Sequence, residues 1–305
     1  MSKKIILIAG PTSSGKSKLA ISLAKKINGE IVNADSMQVY KEFSILSSRP
    51  NKKDLKKIKH HLYGFTSVKK IFSTGMWLKL VENKIYKILK IKKIPILVGG
   101  TGLYFNSITK GMSKIPKINK QKRQKVRTLH ERIGQAELYK KLINIDPVSK
   151  NKILPTDKQR TIRAYEVKLY TKKSLYEWTA STKSKFLKFD IRKIYLDIPR
   201  GKLLKNIEMR TNQMFKSNCI EEVKAFKKLK IDESLSANKI IGVSEISDFL
   251  LGINNIDLTK ELINIKTRQY AKRQNTWSRG HMKNWNKLYY KDLSILLRKV
   301  LKLIT

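Results

Sequence analysis

Gly10-Pro11-Thr12-Ser13-Ser14-Gly15-Lys16-Ser17 sets two glycines, a lysine and a hydroxyl residue at the spacing G-x-x-x-x-G-K-[ST]. That spacing suits a loop whose successive backbone N–H groups curl inward around phosphate oxygens, at the positive end of a helix. Lys16 adds a mobile cation, and the Ser17 hydroxyl is placed to hold a Mg²⁺ ion. These eight residues therefore read as a site for a diphosphate or triphosphate. They do not say what is done to the phosphates. A second group with chemical potential is Asp35, in Asp35-Ser36-Met37-Gln38-Val39-Tyr40. A carboxylate beside a phosphate pocket serves as a metal ligand or a general base. As a bare residue it equally well caps a helix.

The elements that must position these groups alternate strand and helix. An apolar run at residues 5–9 precedes the loop, and residues 19–24 have helix-forming character after it. Residues 30–34 form a short strand ending at Asp35, and a basic, mixed stretch occupies 49–61. Residues 76–90 space Trp77, Leu80, Val81, Ile85, Ile88 and Leu89 as a helix does. Residues 95–98 read as a buried strand, broken by Gly99-Gly100. Such a βαβ series implies a parallel sheet with its ligands at the carboxyl ends of the strands. An ordinary P-loop NTPase keeps an aspartate at the end of a second apolar strand to hold Mg²⁺. Here that strand runs into Gly99-Gly100-Thr101-Gly102 with no carboxylate, which weakens a motor or switch reading.

From 113 to 190 no run of buried strand stands out, and helices are expected over 120–132, 135–145 and 157–170. A strand returns at 193–198, and helices follow at 203–215, 221–230, 244–251 and 259–274. The expected fold class is α/β: a P-loop-type parallel sheet core flanked by helices, with a helical insertion domain. Residues 1–112 and 191–305 would form the catalytic core with its C-terminal helices, and 113–190 the insertion.

Charge is the other large signal: 67 Lys+Arg face 23 Asp+Glu, a formal net charge of +44. A field of that size favours a polyanionic partner, bound with an affinity that falls steeply with salt. The joint abundance of lysine, isoleucine and asparagine gives a blander account, a biased coding composition. The single cysteine, Cys219, excludes an internal disulfide framework, and the four histidines show no metal-ligand spacing with it. His60-His61 are adjacent, so their side chains diverge and a structural role is expected. No apolar run approaches the roughly 18 residues of a membrane span. The chain starts directly with a strand, leaving no room for a signal peptide, so a cytoplasmic location is expected.

Five segments occur in a fixed order: 10–17; 35–40; Val98-Gly99-Gly100-Thr101-Gly102-Leu103-Tyr104; Pro155-Thr156-Asp157-Lys158-Gln159-Arg160-Thr161-Ile162-Arg163-Ala164-Tyr165-Glu166; and Lys272-Arg273-Gln274-Asn275-Thr276-Trp277-Ser278-Arg279. Together they resemble the bacterial tRNA dimethylallyltransferases, the tRNA isopentenyltransferase family, over about residues 5–285. The resemblance implies transfer of a dimethylallyl group from dimethylallyl diphosphate to N6 of adenosine 37, beside the anticodon, in tRNAs reading codons that begin with U. The loop then serves without ATP hydrolysis, because the diphosphate is the leaving group. By the same resemblance the loop amides, Lys16 and Ser17 hold the diphosphate and Mg²⁺, Asp35 accepts the N6 proton, and Thr101 approaches the bridging region. Arg210 would reach the diphosphate, although from its residue type alone an exposed helix charge is the commoner outcome.

The anticodon stem-loop of tRNA would be met by Asp35, Ser36, Met37, Gln38, Thr101 and Arg123. Gln159, Arg160, Thr161, Ile162 and Arg163 would join them, as would Lys272, Arg273, Gln274, Asn275, Thr276, Trp277, Ser278 and Arg279. Arg160 and Arg163 fall at helical spacing on one face. Trp277 suits base stacking and equally a buried anchor. The chain departs from the family's pattern at Ser217-Asn218, where Asn tolerates a left-handed cap, at Gly242-Val243, and at Ser47-Ser48-Arg49-Pro50. None of these touches the loop or Asp35. A small-molecule kinase, an adenylate prenyltransferase acting on free nucleotide, and a non-catalytic RNA-binding protein are the competing readings. The insertion and the 159–163 segment favour tRNA, and a monomer is the default for gripping one tRNA.

Overall fold

The computed structural model describes residues 3–289 and 292–304. Its sheet contains β1 (Lys4–Ala9), β2 (Gly29–Asn33), β3 (His60–His61), β4 (Ile94–Gly99), β5 (Asp190–Asp197) and β6 (Asn286–Tyr289). Every pairing is parallel, in the order β3-β2-β4-β1-β5-β6. Strand β1 lies between β4 and β5, with Ile6 facing Ile96 on one side and Arg192 on the other. A strand covered on both faces must be apolar throughout, and Ile5, Ile6, Leu7 and Ile8 are all fully buried.

Helices α1 (Lys16–Lys26), α2 (Lys52–Lys57), α3 (Thr74–Lys90) and α4 (Gly102–Thr109) lie in the first third of the chain. Then come α5 (Lys120–Ile145), α6 (Lys158–Thr171) and α7 (Leu175–Ala180). The last third holds α8 (Arg200–Lys216), α9 (Cys219–Lys228), α10 (Val243–Leu250), α11 (Ile256–His281) and α12 (Leu293–Ile304). Helix α3 begins at Ser73, whose hydroxyl accepts the Met76 N–H, and buries the expected stripe of Trp77, Val81, Ile85 and Ile88. The Trp77 indole stacks on Tyr104 and donates to the Asn33 carbonyl at 2.9 Å, which pins the end of β2. Helices α1 and α12 pack together on the sheet, joining Leu19 and Leu23 to Leu296, Val300 and Ile304. Leu296→Ala should therefore cost about 2–5 kcal/mol, as buried leucine truncations do; urea denaturation with an unchanged midpoint would remove α12 from the core.

Strands β3 and β6 and helices α2, α4, α7 and α12 add to the elements expected from the sequence, and α11 extends past residue 274 to His281. His60 and His61 form strand β3. The His61 Nε2 lies 2.7 Å from the buried Glu30 carboxylate, whose other oxygen accepts from Lys93 at 2.9 Å. Asn218 adopts the left-handed conformation, φ 63°, ahead of α9. A second apolar cluster joins the 39–46 segment to α9 and α10, with the Phe43 and Phe226 rings 4.7 Å apart.

The chain divides into two compact units, one running to Ser107 and resuming at Lys188, the other Ile108–Leu187. The second unit is helical. Its α5 is two arms meeting at Gly134, whose φ of 80° interrupts the helix between the two stretches expected there. Asn119 and Asp157 cap α5 and α6 by accepting the Lys122 and Arg160 N–H groups, and Leu142, Ile153 and Ala164 form the unit's core.

Candidate active site

The loop at residues 10–17 leaves β1 and enters α1 through Gly15, which sits at φ 90° in the left-handed region that glycine adopts freely. With the carboxyl ends of β2 and β4 it borders a cavity of about 900 Å³ inside the first unit. Lys16, Ser17, Asp35, Arg210 and Tyr270 line it, and so do Leu46, Ile207, Met214, Ile240 and Ile263. A phosphate-type loop thus shares one cavity with apolar side chains.

Asp35 is held in a turn. Its N–H donates to Asn33 Oδ1 at 2.8 Å, and its Oδ1 accepts the Met37 N–H at 2.9 Å. No helix follows it, so the capping alternative falls and the carboxylate lines the cavity instead. The Ser36 N–H donates to Thr101 Oγ1 at 2.9 Å. Thr101 therefore braces the Asp35 turn and is not among the cavity-lining residues. Gln38 donates to the Ser47 and Ser48 carbonyls, both at 2.9 Å, tying down the neighbouring loop.

Two cations enter from different directions. Lys16 Nζ donates to the Pro11 carbonyl at 2.5 Å. Burial pulls its pKa down to about 8; Asp35 opposes the shift and Arg210 adds to it. Arg210, from α8, is not an exposed helix charge. Its Nη1 donates to Thr12 Oγ1 at 2.5 Å and its Nη2 to the Leu46 carbonyl at 3.3 Å. Burial lowers its pKa, with Asp35 acting to raise it. Arg210 Nε and the Ser13 and Ser14 Oγ atoms are buried without a hydrogen-bond partner. Buried polar atoms normally have one, and a phosphate would supply it. Asn206, one turn before Arg210, donates to the Ser13 carbonyl at 2.9 Å. A burial-raised pKa keeps the Tyr270 phenol protonated, with Asp35 contributing in the same direction.

Among the residues expected to face RNA, Lys272, Arg273, Thr276 and Arg279 are exposed on α11. Gln159 and Arg160 are exposed at the start of α6, and Arg123 is exposed on α5. Arg123 and Arg163 converge on the buried Glu166 carboxylate, at 3.7 and 3.3 Å. Ser36, Met37, Asn275, Trp277, Ile162 and Arg163 are half-buried.

Three positions are committed to contacts within the protein. Thr161 is fully buried on the Ala164–Val167 face, its Oγ1 accepting from Gln135 Nε2 at 3.0 Å. Ser278 is buried and donates to the Asn275 carbonyl. Gln274 turns inward, its Oε1 accepting the Thr12 N–H at 2.8 Å and its Nε2 donating to the Gly100 carbonyl at 3.0 Å. Trp277 is an anchor: its ring stacks on His281 and lies where a side chain at Gly102 would be, 2.3 Å from an added Cβ.

Sequence reasoning did not find Asn206, Tyr270 or Glu222. The Glu222 carboxylate accepts the N–H groups of Ser44, Ile45 and Leu46 at 2.6, 2.8 and 2.9 Å, which fixes the turn carrying Leu46. Nothing in the local sequence marks it, because its partners lie about 176 to 178 residues away.

The family described as IPP transferase matches residues 38–281 of this chain. A tRNA dimethylallyltransferase of Pelagibacter ubique (strain HTCC1062) is 53% identical over 299 residues, 98% of this chain and 96% of that protein. A tRNA dimethylallyltransferase of Rickettsia felis is 42% identical, covering 95% and 94% of the two chains. Among solved structures, the tRNA isopentenylpyrophosphate transferase of Bacillus halodurans superposes with a TM-score of 0.71 at 28% identity, over 98% of this chain and 95% of its own. A eukaryotic dimethylallyltransferase acting on tRNA reaches a TM-score of 0.84 at 29% identity, over 96% of this chain and 75% of its own. On the extent and identity of these matches, the chain belongs to the tRNA dimethylallyltransferase family.

Proposed function

We propose that this protein transfers a dimethylallyl group from dimethylallyl diphosphate to N6 of adenosine 37 in tRNAs reading codons that begin with U, acting as a cytoplasmic monomer. The observation that carries the reading is the single cavity in which the phosphate loop, Arg210 and Asp35 meet apolar side chains. Those apolar side chains suit a five-carbon allylic chain carried on the diphosphate. In the reaction the N6 lone pair attacks the allylic carbon bonded to oxygen. A C–N bond forms, the C–O bond breaks, and diphosphate leaves with the bonding pair. The proton lost from N6 passes to the Asp35 carboxylate. Lys16, Arg210 and the loop amides meet the charge that grows on the leaving group.

Ser17 lines the cavity and offers one hydroxyl. Such a sparse set suits Mg²⁺, which takes one or two protein oxygens and completes its shell with phosphate and water. No cluster of three His, Cys, Asp or Glu side chains exists among the described residues to suit a protein-caged metal. When bound there, Mg²⁺ neutralises developing charge on the diphosphate. On the RNA side, Lys272, Arg273, Thr276 and Arg279 on α11 and Arg123, Gln159 and Arg160 in the second unit are the exposed groups suited to phosphates and unstacked bases.

The test offers labelled dimethylallyl diphosphate and Mg²⁺ to unmodified tRNA carrying three adenosines at positions 36–38, with AMP as a competing acceptor. Label at tRNA position 37 is expected. Label in AMP alone would move the acceptor to free nucleotide, and ATP consumption without label would revive the kinase reading.

The Lys16 pKa of about 8 also sets a pH dependence. Diphosphate binds the ammonium form and raises its pKa, so binding takes up a proton wherever free Lys16 is neutral. Once the ionisation of the ligand itself is allowed for, affinity for inorganic pyrophosphate should fall above pH 8, by up to about tenfold per pH unit. Calorimetric titration checks this. An affinity that holds constant as pH rises would show that Lys16 does not carry the binding.

A further inference from the structure

We propose that Gln274 is a positioning residue for the phosphate loop: it holds Thr12, and Thr12 in turn presents Arg210 to the diphosphate. The inference rests on the reading that the loop takes a diphosphate. An amide side chain has one acceptor oxygen and two N–H groups, and Gln274 commits them inward. Its Oε1 takes the Thr12 N–H at 2.8 Å, and its Nε2 gives a hydrogen to the Gly100 carbonyl at 3.0 Å. The packing requires this arrangement, because a Cβ at Gly100 would lie 2.1 Å from Gln274 Nε2. One turn further along α11, Trp277 occupies the space over Gly102. The pair at i and i+3 locks α11 onto the loop that follows β4.

The consequence runs through Thr12. With its N–H taken by Gln274, the Thr12 hydroxyl is held where it accepts from Arg210 Nη1 at 2.5 Å. The other end of the guanidinium donates to the Leu46 carbonyl, in the turn that Glu222 fixes. Arg210 is thereby held from two sides, leaving its Nε, buried and without a partner, as the donor free to meet a phosphate oxygen. Gln274 is not among the cavity-lining residues, so its influence on the donor passes through Thr12.

The experiment measures binding of inorganic pyrophosphate with Mg²⁺ by calorimetry to the full chain and to Gln274→Met, alongside tRNA affinity and melting temperature. The proposal expects pyrophosphate affinity to fall about tenfold with tRNA affinity unchanged, in a variant that still folds but melts lower because two hydrogen bonds of α11 are lost. Thr12→Val, which keeps the N–H but removes the hydroxyl that Arg210 uses, should give a similar loss. The double variant should then be no weaker than the weaker single variant, because both cut the same chain of contacts. If Gln274→Met does not fold, Gln274→Asn, one methylene too short to span Thr12 and Gly100, should show the same selective loss. Unchanged pyrophosphate affinity, or a loss confined to tRNA affinity, overturns the proposal. Absence of pyrophosphate binding by the unaltered protein would overturn the diphosphate reading itself.

Discussion

Asp35→Asn is expected to slow prenyl transfer within a single turnover by about 10²–10⁴-fold, the usual contribution of a general base, while dimethylallyl diphosphate binds as before. The substitution is nearly isosteric and keeps an oxygen to accept the Met37 N–H, so the turn that Thr101 braces through Ser36 should survive. What it removes is the acceptor for the N6 proton. An exocyclic amine is a weak nucleophile until that proton has somewhere to go, so the loss falls on the chemical step. A normal single-turnover rate in this variant would reassign the base.

Lys16→Ala should weaken dimethylallyl diphosphate binding and turnover together, by about 10²–10³ in kcat/KM, the scale for removing one preorganised contact to a developing anion. Lys16 sits between Asp35 and Arg210 in the balance of charge, with burial already pulling its pKa down to about 8. Its removal leaves the loop without a mobile cation and Arg210 as the main remaining positive group at the diphosphate. Melting temperature should not fall, because a part-buried ammonium held only by the Pro11 carbonyl contributes little to the folded state. Unaltered kinetics would take Lys16 out of the site.

The catalytic half of the fold was legible because its signals are local. An apolar run, a phosphate loop and a helix in succession specify β1, the loop and α1, and the stripe from Trp77 to Ile88 specifies α3. Strand β3 has two residues, and β6 is a four-residue edge strand with mostly exposed side chains, so neither offers a pattern to read. Helix α12 is different. Leu293, Leu296, Leu297, Val300, Leu301 and Ile304 form a helical stripe that was available in the sequence, and its partners, α1 and the sheet, were not.

The site divides in the same way. Lys16, Ser17 and Asp35 lie at the ends of recognisable strands. Arg210 and Gln274 reach the loop from about 198 and 262 residues away, separations at which residue type and spacing carry no information about contact. Helical spacing correctly joined Arg160 and Arg163 but could not say which face of α6 is covered. Thr161 falls three residues before Ala164 and six before Val167, on the buried side. Gln274 shows the same limit, since its basic neighbours suggest RNA while its own amide faces the phosphate loop.

The most direct test of the central claim, that the loop grips a leaving group and not a phosphoryl donor, is to supply dimethylallyl diphosphate, ATP, Mg²⁺ and unmodified tRNA together and follow both phosphates. Pyrophosphate released from dimethylallyl diphosphate in proportion to tRNA modified, with ATP untouched, is the expected result; ADP formed while dimethylallyl diphosphate remains intact would contradict it.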